Sequence, residues 1–372
     1  MEKELHIVSF NVPLPANYGG VIDVFYRLKA LSEAGVQVHL HCFTYGRPEV
    51  AELERYCVEV RYYRRDMSPL RMLDRRPFIV SSRDSRELKN RLLQDRFPIL
   101  LEGLHCCSVL EDEAVCSGRT VLVRAHNVES EYYRRLSASE RRWLKRMYLK
   151  LDARKIARYE PTLARASAVL AMSEGEQAKF ELMGCKTVLA MSACHPYNEV
   201  VSLTGRGDYA LYHGALDVAE NRRAVEWLID NVVGGVDCRM TVAGSNPPES
   251  LRAKIAAHPN ITLVANPTDE EMQRLIGAAQ VCLLVTDQPT GMKLKLLNSL
   301  FAGRHCLVNP DMVAGTRLGE FCTVADGAEA LRKELLRLMD TPFDTQMLAG
   351  RTGRLRPLVP AEAVKPVLEL LQ

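Results

Sequence analysis

Short runs rich in Val, Ile and Leu alternate with longer helix-patterned stretches through almost all of the 372 residues, and no other feature restricts the fold as much. Runs of about four to eight apolar residues have strand length, and strands that alternate with helices build parallel sheets from βαβ units. The candidate strands of the first half are 6–10, 36–43, 58–63, 99–101, 120–124 and 168–171, with helices such as 21–34 and 174–183 between them. His195-Pro-Tyr-Asn198 and Gly205-Arg-Gly207 then interrupt the pattern. It restarts with strands at 210–213, 238–243, 261–264, 281–285, 306–308 and 322–324 and helices near 221–231, 248–257, 269–280 and 292–301. The expectation is an α/β protein of two Rossmann-like, doubly wound domains facing across a cleft, residues 1–195 and 208–358. A closing helix in 359–372 is expected to pack back across the domain boundary.

Composition narrows the functional classes. No window of about 18 uninterrupted apolar residues is present to span a bilayer. The start, Met1-Glu-Lys-Glu, leads into an apolar run of only strand length, unlike a signal peptide, so a cytoplasmic protein is expected. The 11 cysteines lack CxxC spacing and read as reduced, mostly buried thiols. With no HExxH, CxxC or DxD pattern, neither a metal nor a cofactor is expected. An aromatic content of 6% and the lack of any helix-turn-helix, RNP or zinc-finger pattern argue against nucleic acid.

Net charge is only +3, but residues 1–200 hold 31 Lys/Arg against 26 Asp/Glu. Two clusters account for much of the excess: six arginines between Arg61 and Arg76, and eleven basic residues against three acidic ones between Arg134 and Arg165. In the second cluster Trp143, Leu144, Met147, Tyr148 and Leu151 recur at helical spacing. A basic amphipathic helix of this kind suits peripheral contact with the inner face of an anionic membrane, or packs its apolar side on its own domain.

Several end-of-strand loops could hold a ligand. Thr290-Gly-Met-Lys-Leu-Lys-Leu-Leu-Asn298 places a small-residue turn at a helix start, where free N–H groups and the helix dipole favour phosphate. Lys293 and Lys295 add charge there, although positions two apart do not share a helix face. After the first strand, Tyr18-Gly-Gly20 lets the backbone approach a ligand closely, without forming a GxGxxG or P-loop motif. Arg124-Ala-His-Asn-Val-Glu129 ends the fifth strand and aims His126, Asn127 and Glu129 at the same cleft. In the second half, Gly214 occupies the first βα turn, Arg222 and Arg223 begin the next helix and could clamp phosphate, and Gly244 and Ser245 form a further loop.

These motifs, in this order and over nearly the whole length, resemble the GT-B glycosyltransferases, specifically the retaining group called family 4. The resemblance implies a nucleotide-sugar donor in the C-terminal domain and a glycan or lipid-linked acceptor in the N-terminal one. Transfer would retain configuration without metal, in polysaccharide or lipopolysaccharide assembly. It further implies that Gly19 and Gly20 lie against the donor diphosphate and acceptor, and that His126 contacts the donor sugar. Tyr18, Asn127 and Glu129 would meet the acceptor. Gly214, Arg222, Gly244, Thr290, Gly291, Met292, Lys293 and Asn298 would hold the donor. The chain departs from the family pattern where two glutamates are usual, at Thr290 and Asn298, and where Arg and Lys are usual, at Ala215 and Glu220. A catalytically degenerate partner in a glycan-assembly complex, or a nucleotide-sugar epimerase, are the alternatives.

Overall fold

The computed structural model describes residues 3–140, 142–289 and 294–371. The chain divides into two compact units, Met1–Cys194 with Pro360–Gln372, and His195–Val359. The first unit is built on β1 (Lys3–Ser9), β2 (Val36–Thr44), β3 (Glu59–Arg64), β4 (Ile99–Glu102), β5 (Val121–Arg124), β6 (Ala168–Ala171) and β7 (Val188–Ala190). They form one sheet in the order β3-β2-β1-β4-β5-β6-β7, parallel throughout. β7 was not expected from the sequence; at three residues, only the first of them buried, it carries little hydrophobic signal.

The two-residue period of the strands feeds two cores. Leu5, Ile7, Leu100, Leu122 and Leu170 point into one, together with Val364 and Val367 of the closing segment. Val8, Ile99, Leu101, Val121, Val123 and Val169 point into the other. Both faces are therefore covered, which is why these strands read as continuous apolar runs. The closing helices Pro360–Ala363 and Lys365–Leu370 are held to β1 by a hydrogen bond from Lys3 Nζ to the Leu368 carbonyl, 2.9 Å.

The second unit contains β8 (Ala210–His213), β9 (Met240–Gly244), β10 (Ile261–Ala265), β11 (Val281–Leu284), β12 (His305–Val308) and β13 (Thr323–Val324). Their order is β10-β9-β8-β11-β12-β13, again parallel. In each sheet the strand order reverses once, between β1 and β4 and between β8 and β11. Loops leaving the carboxyl ends on either side of a reversal splay apart, and this opening is where doubly wound sheets bind ligands.

Gly244, at the end of β9, is buried against the turn that follows β8. A Cβ there would lie 1.8 Å from the Gly214 carbonyl oxygen and 2.9 Å from Leu216 Cγ. The glycine thus sets the separation of the first two loops of the unit. Gly244→Ala should destabilise the protein by about 1–3 kcal/mol or more through overpacking. Gly353→Ala, in a helix with nothing within 4 Å of the added carbon, should be neutral or add about 0.5–1 kcal/mol. Denaturant unfolding of the two variants checks the contrast.

Candidate functional site

At the reversal of the first sheet the structure assembles charges that the sequence did not group. Asp23 and Arg27 lie one turn apart in α1 (Gly19–Glu33), Glu102 ends β4 and Arg124 ends β5. All four are buried. Arg27 donates to both oxygens of Asp23 (3.1 and 2.8 Å) and to both oxygens of Glu102 (2.9 Å each). Arg124 Nε donates to Asp23 at 3.1 Å, and its Nη1 donates to the carbonyls of Ala171 and Met191 at 3.1 and 2.7 Å. The backbone N–H of Cys194 completes the set on Asp23 at 2.7 Å.

Two carboxylates balance two guanidinium groups, so the charges survive without water. Burial alone would lift Asp23, but Arg124 and Arg27 hold its carboxyl well below the usual carboxylate range. Burial likewise opposes ionisation of Glu102, and Arg27 and His126 overcome it and lower its pKa.

His126 closes the cluster. One ring nitrogen, Nε2, is 3.1 Å from Glu102 Oε2, and the other, Nδ1, faces Asp23 at 3.7 Å. Its ring packs edge-on against Phe10, with centroids 5.5 Å apart. Gly103, at φ +76°, passes under it: a Cβ there would meet His126 Cδ2 at 3.3 Å and His105 Nδ1 at 2.8 Å. Phe10 is in turn fixed by Arg83, which donates to its carbonyl at 2.9 Å. Gly20 is small for the same reason, since its Cβ would fall 2.9 Å from Phe10 Cζ. The structure thus brings together Gly20, Phe10 and His126 over a charged base.

The other residues expected in this unit fare differently. Gly19 and Tyr18 are exposed at the start of α1, and the Tyr18 hydroxyl accepts from Asn11 Nδ2 at 3.3 Å. Asn127 is half-buried beside His126. Glu129, expected to face an acceptor, is instead buried at the start of the helix Glu129–Ser139. Burial raises its carboxyl to about 8, with Glu160 and Glu176 adding to the rise against a hydrogen bond from Asn127. Burial also raises Glu176, to about 7, and both of its carboxyl oxygens are buried.

In the second unit the reversal between β8 and β11 gathers a polar set. Lys295, in the helix Leu294–Ala302, donates to Asn221 Oδ1 at 2.8 Å and to the Tyr212 hydroxyl at 3.2 Å. Asn221 Nδ2 donates to the Ala215 carbonyl at 2.9 Å, so the turn at Gly214 and Ala215, the following helix and Lys295 are linked. Beneath them His213 bonds Ser299 Oγ at 2.9 Å, and burial, with Lys295 nearby, pushes its pKa down to about 3. Asn298 Oδ1 is buried and has no hydrogen-bond partner among the described residues.

Gly214 and Gly244 serve the backbone here: Gly214 N–H donates to the Ala243 carbonyl at 3.1 Å and is already used. Arg222 runs along its own helix towards Glu226, 4.0 Å away, and Arg223 pairs with Asp287 at 2.7 Å. Glu220 accepts from Thr286 Oγ1 at 2.5 Å and lines a cavity of about 460 Å³ with Arg223, Trp227, Asn309 and Asp326. Thr290, Gly291, Met292 and Lys293 lie outside the described residues.

Comparison with known proteins agrees with this architecture. No protein-family model matches the chain. An uncharacterized 44.6 kDa protein in the cps region of Klebsiella pneumoniae is 27% identical over 346 residues, covering 87% of this chain and 86% of that protein. Among solved structures, Anabaena HepE in complex with UDP and glucose superposes with a TM-score of 0.65 at 11% identity, covering 99% of both chains. The apo form of WaaB, a lipopolysaccharide outer core galactosyltransferase, superposes at 0.64 and 12% identity, again over 99% of both.

Glu129 and Glu176 give a prediction for stability. Their folded pKa values are raised above the ordinary carboxylate range, so their protonated forms contribute stability that is complete at acid pH. That contribution is lost as pH rises through about 7 for Glu176 and about 8 for Glu129. The thermal midpoint should fall from about pH 5, just above the ordinary carboxyl value, to about pH 8 and level off beyond it for this reason, and Glu129→Gln should flatten the fall and raise the midpoint on the alkaline side. Melting curves across that range check it. With parallel sheets of seven and six strands, each reversing once, the chain has the GT-B fold.

Proposed function

We propose that this protein is a glycosyltransferase that moves a sugar from a nucleotide-sugar donor to a glycan or lipid-linked acceptor in the assembly of a cell-surface polysaccharide or lipopolysaccharide. The observation that carries the reading is that one helix at the reversal of the second sheet carries both Lys295, held by Asn221 and Tyr212, and Asn298, whose buried Oδ1 has no hydrogen-bond partner among the described residues. It lies on a fold that in HepE accompanies UDP and glucose. An ammonium group beside a turn suits the diphosphate, and a buried carbonyl oxygen with no donor suits a ribose hydroxyl. The relative in the cps region supports polysaccharide assembly as the setting.

In this reading the second unit binds the donor through Lys295, Asn298 and the Thr290–Lys293 segment. The first unit offers Gly19, Gly20, His126 and Tyr18 to the reacting groups. The acceptor hydroxyl attacks the anomeric carbon on the face from which the diphosphate departs. The carbon–oxygen bond to the diphosphate breaks, the new glycosidic bond forms, and the hydroxyl proton passes to the leaving phosphate oxygen. Retention follows, no metal takes part, and Lys295 offsets the charge that develops on the leaving group. Glu102 and Asp23 act on His126 as positioning residues.

One observation favours a second reading. Glu220 stands where the resembled family carries a lysine and is hydrogen-bonded to Thr286, which removes a cation from the diphosphate and fits a partner protein without turnover. Product analysis of UDP-sugars and GDP-sugars, each supplied alone and with a lipid-linked glycan acceptor from a capsule-producing strain, decides between the readings. The transferase consumes donor only when acceptor is present and loses about 100-fold or more of its rate on Lys295→Met, the scale of removing one charge-stabilising group. An altered sugar from donor alone indicates an epimerase. No turnover of any donor by the folded protein contradicts the proposal and leaves the partner role.

A further inference from the structure

The helix Trp143–Tyr159 buries Leu149, Ala153, Ile156 and Tyr159 against its own unit and leaves a second apolar stripe uncovered. Trp143, Met147 and Leu151 follow one another at every fourth position on the opposite side, with Leu144 beside them. Trp143 is 71% exposed and the other three are more than half exposed. Helical amphipathicity normally places apolar side chains inward and charges outward; here the outward face is apolar as well.

A second uncovered segment lies alongside. The short helix Pro69–Leu73 buries none of its residues, and Leu70 and Leu73 are 74% and 81% exposed. Lys155, one turn beyond Leu151, donates to the carbonyls of Met72 and Asp74 at 2.7 Å each and ties this segment to the flank of the long helix. Two stretches some seventy residues apart in the sequence therefore present one apolar ridge.

The other flank is cationic. Arg146, Lys150 and Arg154, also spaced by four, join Arg134 and Ser137 to line a groove of about 350 Å³ between the long helix and Glu129–Ser139. An apolar ridge beside a groove of four cations matches the profile of an anionic bilayer, with acyl chains under the headgroups and phosphates above them. A protein partner would have to supply an apolar groove and a row of carboxylates together.

We propose that this ridge is the face by which the first unit lies on an anionic lipid membrane, with Trp143, Met147, Leu151, Leu70 and Leu73 entering the headgroup layer and the groove cations taking lipid phosphates. The proposal deepens the reading above, since a lipid-linked acceptor is met at such a surface, but its test does not depend on sugar transfer. Each basic residue near the headgroups strengthens partition by about fivefold, and salt weakens that part of the binding.

The full chain is sedimented with vesicles of phosphatidylcholine alone and of phosphatidylcholine mixed equally with phosphatidylglycerol, at low and high salt. Binding is expected to the mixed vesicles only, to fall with salt, and to drop by about 25-fold in Arg146→Gln with Lys150→Gln. Because the chain has two tryptophans, Trp227→Phe leaves Trp143 as the sole indole, and its emission should shift to the blue on binding. Trp143→Ser with Leu73→Ser should weaken binding at every salt concentration while circular dichroism and nucleotide binding in solution stay unchanged. Absence of binding to the mixed vesicles overturns the proposal, as does binding indifferent to these substitutions. Concentration-dependent dimerisation lost in the Trp143→Ser, Leu73→Ser variant would assign the ridge to a second copy and overturn it equally.

Discussion

The ion-pair cluster of Asp23, Arg27, Glu102 and Arg124 is the constraint on which the first unit's site depends. Four fully buried ionised groups are tolerable only when each finds its partners, and here every one does so through at least two hydrogen bonds. Because the four come from α1, β4 and β5, satisfying them fixes the positions of three separate elements at the carboxyl edge of the sheet. Loss of one guanidinium would strand a carboxylate in the interior, typically at about 3–5 kcal/mol. Arg124 extends the same constraint to the carbonyls at 171 and 191, and the Cys194 amide extends it to the end of the unit.

His126 rests on that base, and its chemistry follows. With Nε2 on Glu102 and Nδ1 towards Asp23, the imidazole is oriented from beneath by two carboxylates, as a ring must be if it is to keep one pose beside a substrate. Phe10, Gly20 and Gly103 enclose its other side, and each glycine is required by close approach to a ring. In the second unit Tyr212 and Asn221 place Lys295 by hydrogen bonds, and His213 holds Ser299 of the same helix.

Much of this was legible in the sequence, and for identifiable reasons. Strands buried on both faces become unbroken apolar runs, so β1, β2, β4, β5, β6 and the strands of the second unit stood out, whereas β7 did not. The end-of-strand motifs at Gly20, His126 and Gly214 were legible because doubly wound sheets confine ligands to those ends. The charge cluster was not. Asp23 and Arg27 look like an ordinary surface pair one turn apart, and nothing local marks Glu102 as their partner 75 residues on from Arg27. Glu129 was expected to face the cleft with His126 and Asn127, because nothing local shows that tertiary packing buries it near Glu160 and Glu176. The apolar residues from Trp143 to Leu151 had two readings, and exposure in the folded unit favours the surface one.

The central claim is the proposal that the second unit binds a sugar nucleotide, with Lys295 on its diphosphate and Asn298 on a ribose hydroxyl. Isothermal titration of the intact protein with UDP and with GDP tests it most directly, with Lys295→Met and Asn298→Leu titrated alongside. The account predicts saturable binding of one nucleotide, at least tenfold weaker in Lys295→Met, since a lost charge-assisted hydrogen bond costs about 1.5–3 kcal/mol. A folded protein that binds neither nucleotide, or binds one with both variants indistinguishable from the parent, would contradict it.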